Sequence, residues 1–161
     1  MVTGAASGIG AATTALFAAR GWQVYAVDVD AKGLERLYRS PSLRVQPFVA
    51  DLTDTAACDS LLARVTSDCS DGKGDVAVLV NCAGFILPLP VLGAKWGDIE
   101  RQFHINTLAP VYLTRLFTPL LLEGPRGGSV VNVSSMAASI GWPYQGLYSA
   151  SKAALEGELS C

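Results

Sequence analysis

The sequence has few of the residue types on which several kinds of function depend. It contains a single histidine, His104, and four cysteines without a C-x-x-C spacing, Cys58, Cys69, Cys82 and Cys161. One histidine and scattered thiols do not supply the ligands of a metal cluster, and this spacing predicts no disulfide framework. We therefore expect reduced thiols, no metal site and a structural role for His104.

Charge and long apolar runs are also scarce. Charged residues make up 16% of the chain, and the formal net charge is −2. Nucleic acids and anionic membranes attract basic proteins, so the composition predicts neither partner. No apolar run approaches the ~18 residues of a membrane span, and the first residues lack the basic-then-apolar pattern of a signal peptide. These absences predict a cytoplasmic location.

What the sequence does have is the pattern of an α/β protein. With 161 residues, 50% of them hydrophobic, we expect one domain over residues 1–161. Predicted strands lie near 1–3, 23–28, 43–49, 76–81 and 129–133, and predicted helices near 8–20, 31–39, 54–67, 99–122 and from 148 onward. Pro110 predicts a bend or break in the fourth helix. The alternation indicates a doubly wound parallel sheet that binds its ligand at the carboxyl ends of the strands.

A glycine-rich stretch joins the first strand to the first helix. It reads Thr3-Gly4-Ala5-Ala6-Ser7-Gly8-Ile9-Gly10, a G-x-x-x-G-x-G spacing. Glycines allow a sharp turn and a close approach to a ligand, and a helix N-terminus favours a pyrophosphate. An ordinary βα turn is the alternative. We predict nucleotide binding, with contacts from Gly4, Ser7, Gly8, Ile9 and Gly10.

Acidic residues follow the second and third predicted strands. Asp28 stands eighteen residues after Gly10, where a carboxylate accepts from the adenosine ribose hydroxyls and repels a 2′-phosphate. Asp30 is the better candidate for the cap of the next helix. Asp51 is either an acceptor for the adenine amino group, with Leu52 packed on the ring, or a helix cap; both interpretations stay open.

Small and polar residues end the fourth and fifth strands. Asn81-Cys82-Ala83-Gly84 lets a flat ligand pass close to the backbone, or is simply a turn. The apolar segment 85–92 is core cover or a pocket wall. Ser134-Ser135 ends the fifth strand, where ligands bind in such sheets; a pair of turn serines is the alternative. Asn106 is either a structural hydrogen-bonding residue or part of the site.

Tyr148 and Lys152 are four residues apart and fall on one face of the last predicted helix. An ammonium near a phenol favours the phenolate, so the pair suits proton transfer. By itself the spacing is more typical of a surface helix with a solvated lysine. Its weight comes from the motifs that precede it.

Together these residues resemble the short-chain dehydrogenase/reductase family, whose fold is Rossmann-like. The resemblance runs from Val2 to about Gly157 and rests on the combination Thr3-Gly4-x-x-x-Gly8-x-Gly10, Asn81-x-Ala83-Gly84, Asn106, Ser135 and Tyr148-x-x-x-Lys152. The family's spacing of serine to tyrosine selects Ser135 rather than Ser134. Cys82 stands where many members have a second asparagine, which we interpret as a tolerated variation.

The resemblance implies a role for each catalytic residue. Tyr148 would exchange a proton with the substrate oxygen, and Lys152 would support Tyr148 and hold the nicotinamide ribose. Ser135 would donate to the substrate oxygen. Asn106 would hold a water that links Lys152 to solvent. Asn81, Ala83 and Gly84 join the expected cofactor contacts, and Asp28 predicts NAD as the preferred cofactor.

The resemblance also implies that the chain is truncated at both ends. The first strand is a stub, and the family's C-terminal substrate-binding part would be missing. We expect an NAD-dependent oxidoreductase acting on an apolar secondary alcohol or ketone, a homodimer or homotetramer at full length. Two alternatives are an inactive nucleotide-binding module and a sugar-nucleotide epimerase or dehydratase.

Overall fold

Five parallel strands form the centre of the computed structural model, which describes residues 1–40, 44–72, 74–124 and 127–158. The strands are β1 (Val2–Thr3), β2 (Val24–Asp28), β3 (Val45–Val49), β4 (Val78–Asn81) and β5 (Ser129–Asn132). Their order in the sheet is β3-β2-β1-β4-β5, and every pair is parallel. The predicted doubly wound sheet is confirmed. Leu43, at the start of the predicted third strand, and Cys161 lie outside the described residues.

Helices connect the strands at the predicted places. They are α1 (Gly8–Ala19), α2 (Ala31–Tyr38), α3 (Thr55–Ser70), α4 (Trp96–Phe103), α5 (Ala109–Glu123) and α6 (Gly146–Glu158). The cap of α2 is the one that the sequence predicted. Asp30 accepts a hydrogen bond from the Gly33 N–H at the start of α2, and Asp54 accepts one from the Ala56 N–H at the start of α3.

The fourth predicted helix is interrupted where its proline predicts a break. A π-helical segment, His104–Leu108, separates α4 from α5, and Pro110 lies in the first turn of α5. Proline has no N–H to donate and its ring crowds the preceding turn, so the α-helical bonding pattern does not run through this point. The wider π turn carries Asn106 into the protein interior, where its side chain is fully buried.

Apolar side chains cover both faces of the sheet. One face packs on α3 and α5 through residues that include Leu61, Leu113 and Phe117. The other face packs on α2 through Leu34 and on α1 through the half-buried Phe17. Full burial of one such side chain stabilises the fold by about 1.5–3 kcal/mol. Because the central strands are covered on both faces, a ligand reaches them at the strand ends, while the edge strands keep exposed positions such as Val49 and Val131.

The strand order reverses between β1 and β4, and this reversal positions the site. The chain moves from β1 outward to β3 on one side and returns to β4 and β5 on the other. Crossovers that leave in opposite directions open a crevice at the carboxyl ends of the central strands. Among the described helices, none has the length and apolarity to cross a membrane.

Candidate active site

A cleft of about 870 Å³ opens at the carboxyl ends of the strands. It is lined by many of the residues that the sequence singled out, namely Gly4, Ser7, Gly8, Ile9, Gly10, Asp28, Asp51, Leu52, Ala83, Gly84, Tyr148 and Lys152. A second cavity, about 70 Å³, lies at the amino ends of the strands around Trp22 and Asp68. Only the first is large enough for a dinucleotide.

The glycine-rich loop forms one end of the cleft. Ser7 precedes α1 in an extended conformation, and its side chain makes no capping hydrogen bond to the helix. Gly8 has a φ of +50°, which favours glycine, and a Cβ on Gly10 would collide with the Gly4 carbonyl. Gly8, Ile9 and Gly10 line the cleft, so the first turn of α1 lies at its wall. This geometry fits a pyrophosphate.

Asp28 lies at the end of β2 on the edge of the same loop. Its carboxylate accepts hydrogen bonds from the Ala6 N–H and the Asp30 N–H, both at 2.9 Å. The first bond fixes the glycine-rich loop to the strand. Asp30 caps α2, as the sequence indicated, and the Asp28 carboxylate lines the cleft together with that of Asp51.

Asp51 and Leu52 lie on the neighbouring part of the wall. One Asp51 carboxylate oxygen accepts from the N–H and the hydroxyl of Thr53, at 2.9 and 2.7 Å. These hydrogen bonds hold the pKa of the Asp51 carboxyl below its ordinary value. Because Asp54 caps α3, the alternative that Asp51 is the cap is wrong. Its contact with adenine stays a prediction.

The residues at 81–84 have different surroundings, because some of them line the cleft and Asn81 packs within the sheet. Ala83 and Gly84 line the cleft, and the Ala83 N–H donates to the Thr3 hydroxyl at 3.0 Å. The Asn81 side chain is buried and lies on the other side of the backbone, where its amide donates to Asn132 at 2.8 Å. Any contact of Asn81 with a cofactor would therefore come from its backbone.

Lys152 lies at the centre of the cleft floor. Its ammonium donates a 2.7 Å hydrogen bond to the Val133 carbonyl at the end of β5. Burial lowers the pKa of this ammonium, an effect that the nearby Cys82 thiol partly opposes. A Cβ on Gly84 would lie 3.5 Å from the Lys152 nitrogen, an ordinary contact, but 2.9 Å from the Asn106 side-chain oxygen, so the glycine leaves room for Asn106.

Asn106 links the cleft wall to α6. Its side-chain oxygen accepts from the Phe85 N–H, and its side-chain N–H₂ donates to the Phe85 carbonyl and the Ser151 hydroxyl at 2.9 and 3.0 Å. Asn106 therefore braces the helix that carries Tyr148 and Lys152. The water that the family resemblance assigns to it stays a prediction.

The two serines after β5 make different contacts. Ser134 lines the cleft and donates its hydroxyl hydrogen to Glu156 at 2.7 Å. Ser135, the next residue in the chain, accepts a hydrogen bond from the Ala137 N–H at 3.2 Å. It thereby caps a short 3-10 turn over Met136–Ala138. A hydroxyl that accepts this bond keeps its own hydrogen for another acceptor, which suits the donor role expected of Ser135.

Several cleft residues were not singled out by the sequence. Arg101 lines the cleft and lies over the Phe85 ring, 4.8 Å from its centroid. Gln102, the next residue in α4, is fully buried. An arginine and a glutamine on an amphipathic helix carry no motif, so only the packing of α4 against the loop after β4 identifies them.

The sheet order and the helices on both sides of the sheet give the chain a Rossmann-like architecture. A sequence model of the short chain dehydrogenase family matches residues 1–160. The chain therefore belongs to the short-chain dehydrogenase/reductase family of oxidoreductases.

Individual relatives agree with this assignment. The 3-oxoacyl-(acyl-carrier-protein) reductase of Thermotoga maritima is 34% identical over 160 residues, a match that covers 98% of this chain and 63% of the reductase. The structure of a short chain dehydrogenase/reductase from Burkholderia phymatum in complex with NAD has a TM-score of 0.91 and 26% identity, over 99% of this chain and 56% of that one.

A metagenomic short-chain oxidoreductase in complex with NADP is also similar. Its TM-score is 0.88 and its identity 27%, over 99% of this chain and 72% of that one. The similar structures thus include one with each cofactor. The chain spans less than two thirds of the length of the curated reductase that it matches.

Proposed function

We propose that the protein is an NAD-preferring oxidoreductase that interconverts a secondary alcohol and a ketone, with Tyr148 as the acid/base. The observation that carries the proposal is that two sets of groups line the same cleft. The glycine-rich loop and Asp28 lie along it, and so do Tyr148 and Lys152. The first set suits a dinucleotide and the second suits proton transfer.

The protein's own groups have separable tasks in this reaction. The cofactor, when bound, supplies or accepts the hydride. The loop between Gly4 and Gly10 holds the pyrophosphate, and Lys152 offers donors to the nicotinamide ribose. Ser135 donates to the substrate oxygen and stabilises the charge that develops there. Tyr148 exchanges its hydroxyl proton with that oxygen, and Lys152 stands one turn further along the same helix.

Asp28 supports a preference for NAD. Its carboxylate stands at the end of β2 inside the cleft, where it accepts from ribose hydroxyls and meets a 2′-phosphate as a like charge. Cofactor selection of this kind depends as much on repulsion of the wrong ligand as on attraction of the right one.

Two apolar segments support an apolar substrate. Phe85 and Ile86 line the cleft. The Leu89 N–H donates to the Tyr144 carbonyl at 2.9 Å, which places the segment after β4 beside the loop that carries Trp142. Trp142 and Tyr144 expose 51% and 63% of their surface. Exposed aromatic side chains beside a catalytic cleft suit a binding wall for an apolar alcohol or ketone.

Two further properties are part of the proposal. A homodimer or homotetramer is expected of the full-length protein from its family resemblance. A cytoplasmic location is expected from the sequence pattern. Size measurement in solution and cell fractionation test these two properties.

The experiment that tests the proposed function uses the full-length protein. NAD and NADP are titrated separately while tryptophan fluorescence is followed, and secondary alcohols and ketones are then screened by nicotinamide absorbance. We expect NAD to bind more tightly and apolar secondary alcohols to be oxidised. Binding without turnover across the screen would favour the nucleotide-binding module, and no binding of either cofactor would contradict both interpretations.

A further inference from the structure

Gln102 is a polar residue in the last turn of α4, and its side chain lies in the protein interior. It is fully buried, and an amide in such a place must be matched by hydrogen-bonding partners. Its partners are neither on its own helix nor on the sheet. Both belong to the irregular segment that follows β4, residues 82–90, which contains no helix or strand.

The Gln102 amide binds the backbone of this segment at two points. Its side-chain oxygen accepts from the Leu87 N–H at 3.0 Å, and its N–H₂ donates to the Phe85 carbonyl at 2.5 Å. Asn106, one turn later, accepts from the Phe85 N–H at 3.0 Å and donates to the same carbonyl. Two buried amides therefore hold the backbone from Phe85 to Leu87.

The held residues form a wall of the cleft. Phe85 and Ile86 both line it, and Ile86 lies between the two residues that Gln102 binds. A segment without strand or helix partners is ordinarily mobile. Here side-chain amides provide the backbone hydrogen bonds that a regular element would have supplied.

We propose that Gln102 is a positioning residue that fixes the Phe85–Leu87 wall before cofactor and substrate bind. The proposal rests on the proposed function, because it assigns a ligand-binding purpose to the wall. A ligand that contacts a mobile wall must order it on binding, and this ordering weakens affinity. A wall already held by Gln102 avoids that cost. Because Gln102 does not reach the Tyr148 side of the cleft, it acts on binding rather than on the proton transfer itself.

The test replaces the amide and keeps the side chain's length. Gln102→Met in the full-length protein removes the hydrogen-bonding groups while it fills the same space. Hydrogen exchange should show faster exchange of the Leu87 amide, while the Phe85 amide, still held by Asn106, stays the better protected of the two. The dissociation constant for NAD and the KM for substrate should each rise about fivefold, with kcat within about twofold of the native value.

The test needs one control variant and one substitute variant. Leu61→Val in the core of α3 lowers stability without touching the wall, and it should leave the NAD dissociation constant and KM unchanged. Gln102→Leu serves in place of the methionine variant if that variant fails to fold. Normal NAD affinity and KM in a folded variant with a freely exchanging Leu87 amide would overturn the proposal. If the native protein itself binds no cofactor, the proposed function fails instead, so the two failures are distinguishable.

Discussion

The ammonium nitrogen of Lys152 lies 2.7 Å from the carbonyl oxygen of Val133 and donates a hydrogen bond to it. This contact joins α6 to the end of β5, and it leaves Lys152 only 5% exposed. A buried ammonium costs stability unless it is hydrogen-bonded, and the bond to Val133 offsets part of that cost. We infer that the same bond fixes the face of α6 that carries Tyr148.

The burial of Lys152 predicts a pH dependence of stability. Burial lowers the pKa of the ammonium below 10.5 in the folded state. The unfolded state then binds more protons between the lowered pKa and 10.5, so stability contributed by this group rises with pH through that window and is smallest below it. Lys152→Met removes this rise.

The measurement is urea unfolding of both proteins at pH values from 7 to the alkaline limit of folding. The free energy of unfolding of the methionine variant, relative to that of the native protein, should be highest at neutral pH. This difference should become smaller as the pH rises, because the native lysine loses its charge. A difference in unfolding free energy that does not change with pH would show that the Lys152 charge is not destabilised by burial.

A substitution at Gly84 tests the close approach at the cleft floor. An added Cβ would lie 2.9 Å from the Asn106 side-chain oxygen, so that side chain must move, whereas its 3.5 Å distance from the Lys152 nitrogen is an ordinary contact. A displacement of about 1 Å in such a site costs roughly 10²-fold in rate, and we expect a loss of that order in Gly84→Ala.

The matched control for this substitution is Gly97→Ala. Gly97 lies in α4, and a Cβ there meets no atom within 4 Å. The control should keep full turnover and gain a little stability, about 0.5–1 kcal/mol, because alanine suits a helix better than glycine. Equal effects of the two substitutions on turnover would contradict the proposed close packing.

Cofactor choice is tested by a pair of neighbouring aspartates. Asp28→Asn removes one of the two carboxylates that line the cleft, and we expect the ratio of NADP to NAD affinity to move about tenfold toward NADP. Asp30→Asn is the control, since asparagine caps a helix as well as aspartate and Asp30 binds the Gly33 N–H. Titration of each variant with both cofactors gives the result. An unchanged ratio in the Asp28 variant would assign cofactor choice to other residues.

The serines after β5 are separated by their hydrogen bonds. Ser135→Ala should lower turnover by about 10²-fold, the scale of a lost donor to a developing oxyanion. Ser134→Ala should reduce it only mildly, because the Ser134 hydroxyl is directed to Glu156. Steady-state kinetics of both variants, with NAD binding measured in parallel, gives the comparison. The opposite ranking would mean that Ser134 is the substrate donor.

Much of the fold was predictable because the sequence signals are local. The pattern of apolar residues predicted the places of the five strands and of the longer helices of the described chain, but not the 3-10 turns at Val91–Gly93 and Met136–Ala138. Asp30 was separable from Asp28 because a cap must stand directly before its helix. The break before Pro110 was likewise predictable from the residue, although its π-helical form was not. A wider turn depends on what α4 and α5 pack against, and that information is not local.

The parts of the site that the sequence left undetermined depend on side-chain direction. Asn81 stands within a strand-end motif, yet its amide lies among Asn132 and α5. Gln102 has no motif, yet its amide holds the cleft wall. In both cases the partner is distant in sequence, so local propensity carries no signal of the contact. Only the assembled tertiary structure defines these two roles.

The central claim is that Tyr148 is the acid/base of a nicotinamide-dependent oxidoreductase. Tyr148→Phe removes the hydroxyl and keeps the ring in the cleft wall, so cofactor contacts through the ring are preserved. The most direct measurement is steady-state oxidation of a secondary alcohol by the native full-length protein and this variant, with the NAD dissociation constant determined for both. We predict a loss in kcat of about 10²-fold or more with NAD affinity unchanged within about twofold. Near-native turnover in the phenylalanine variant would contradict the assignment.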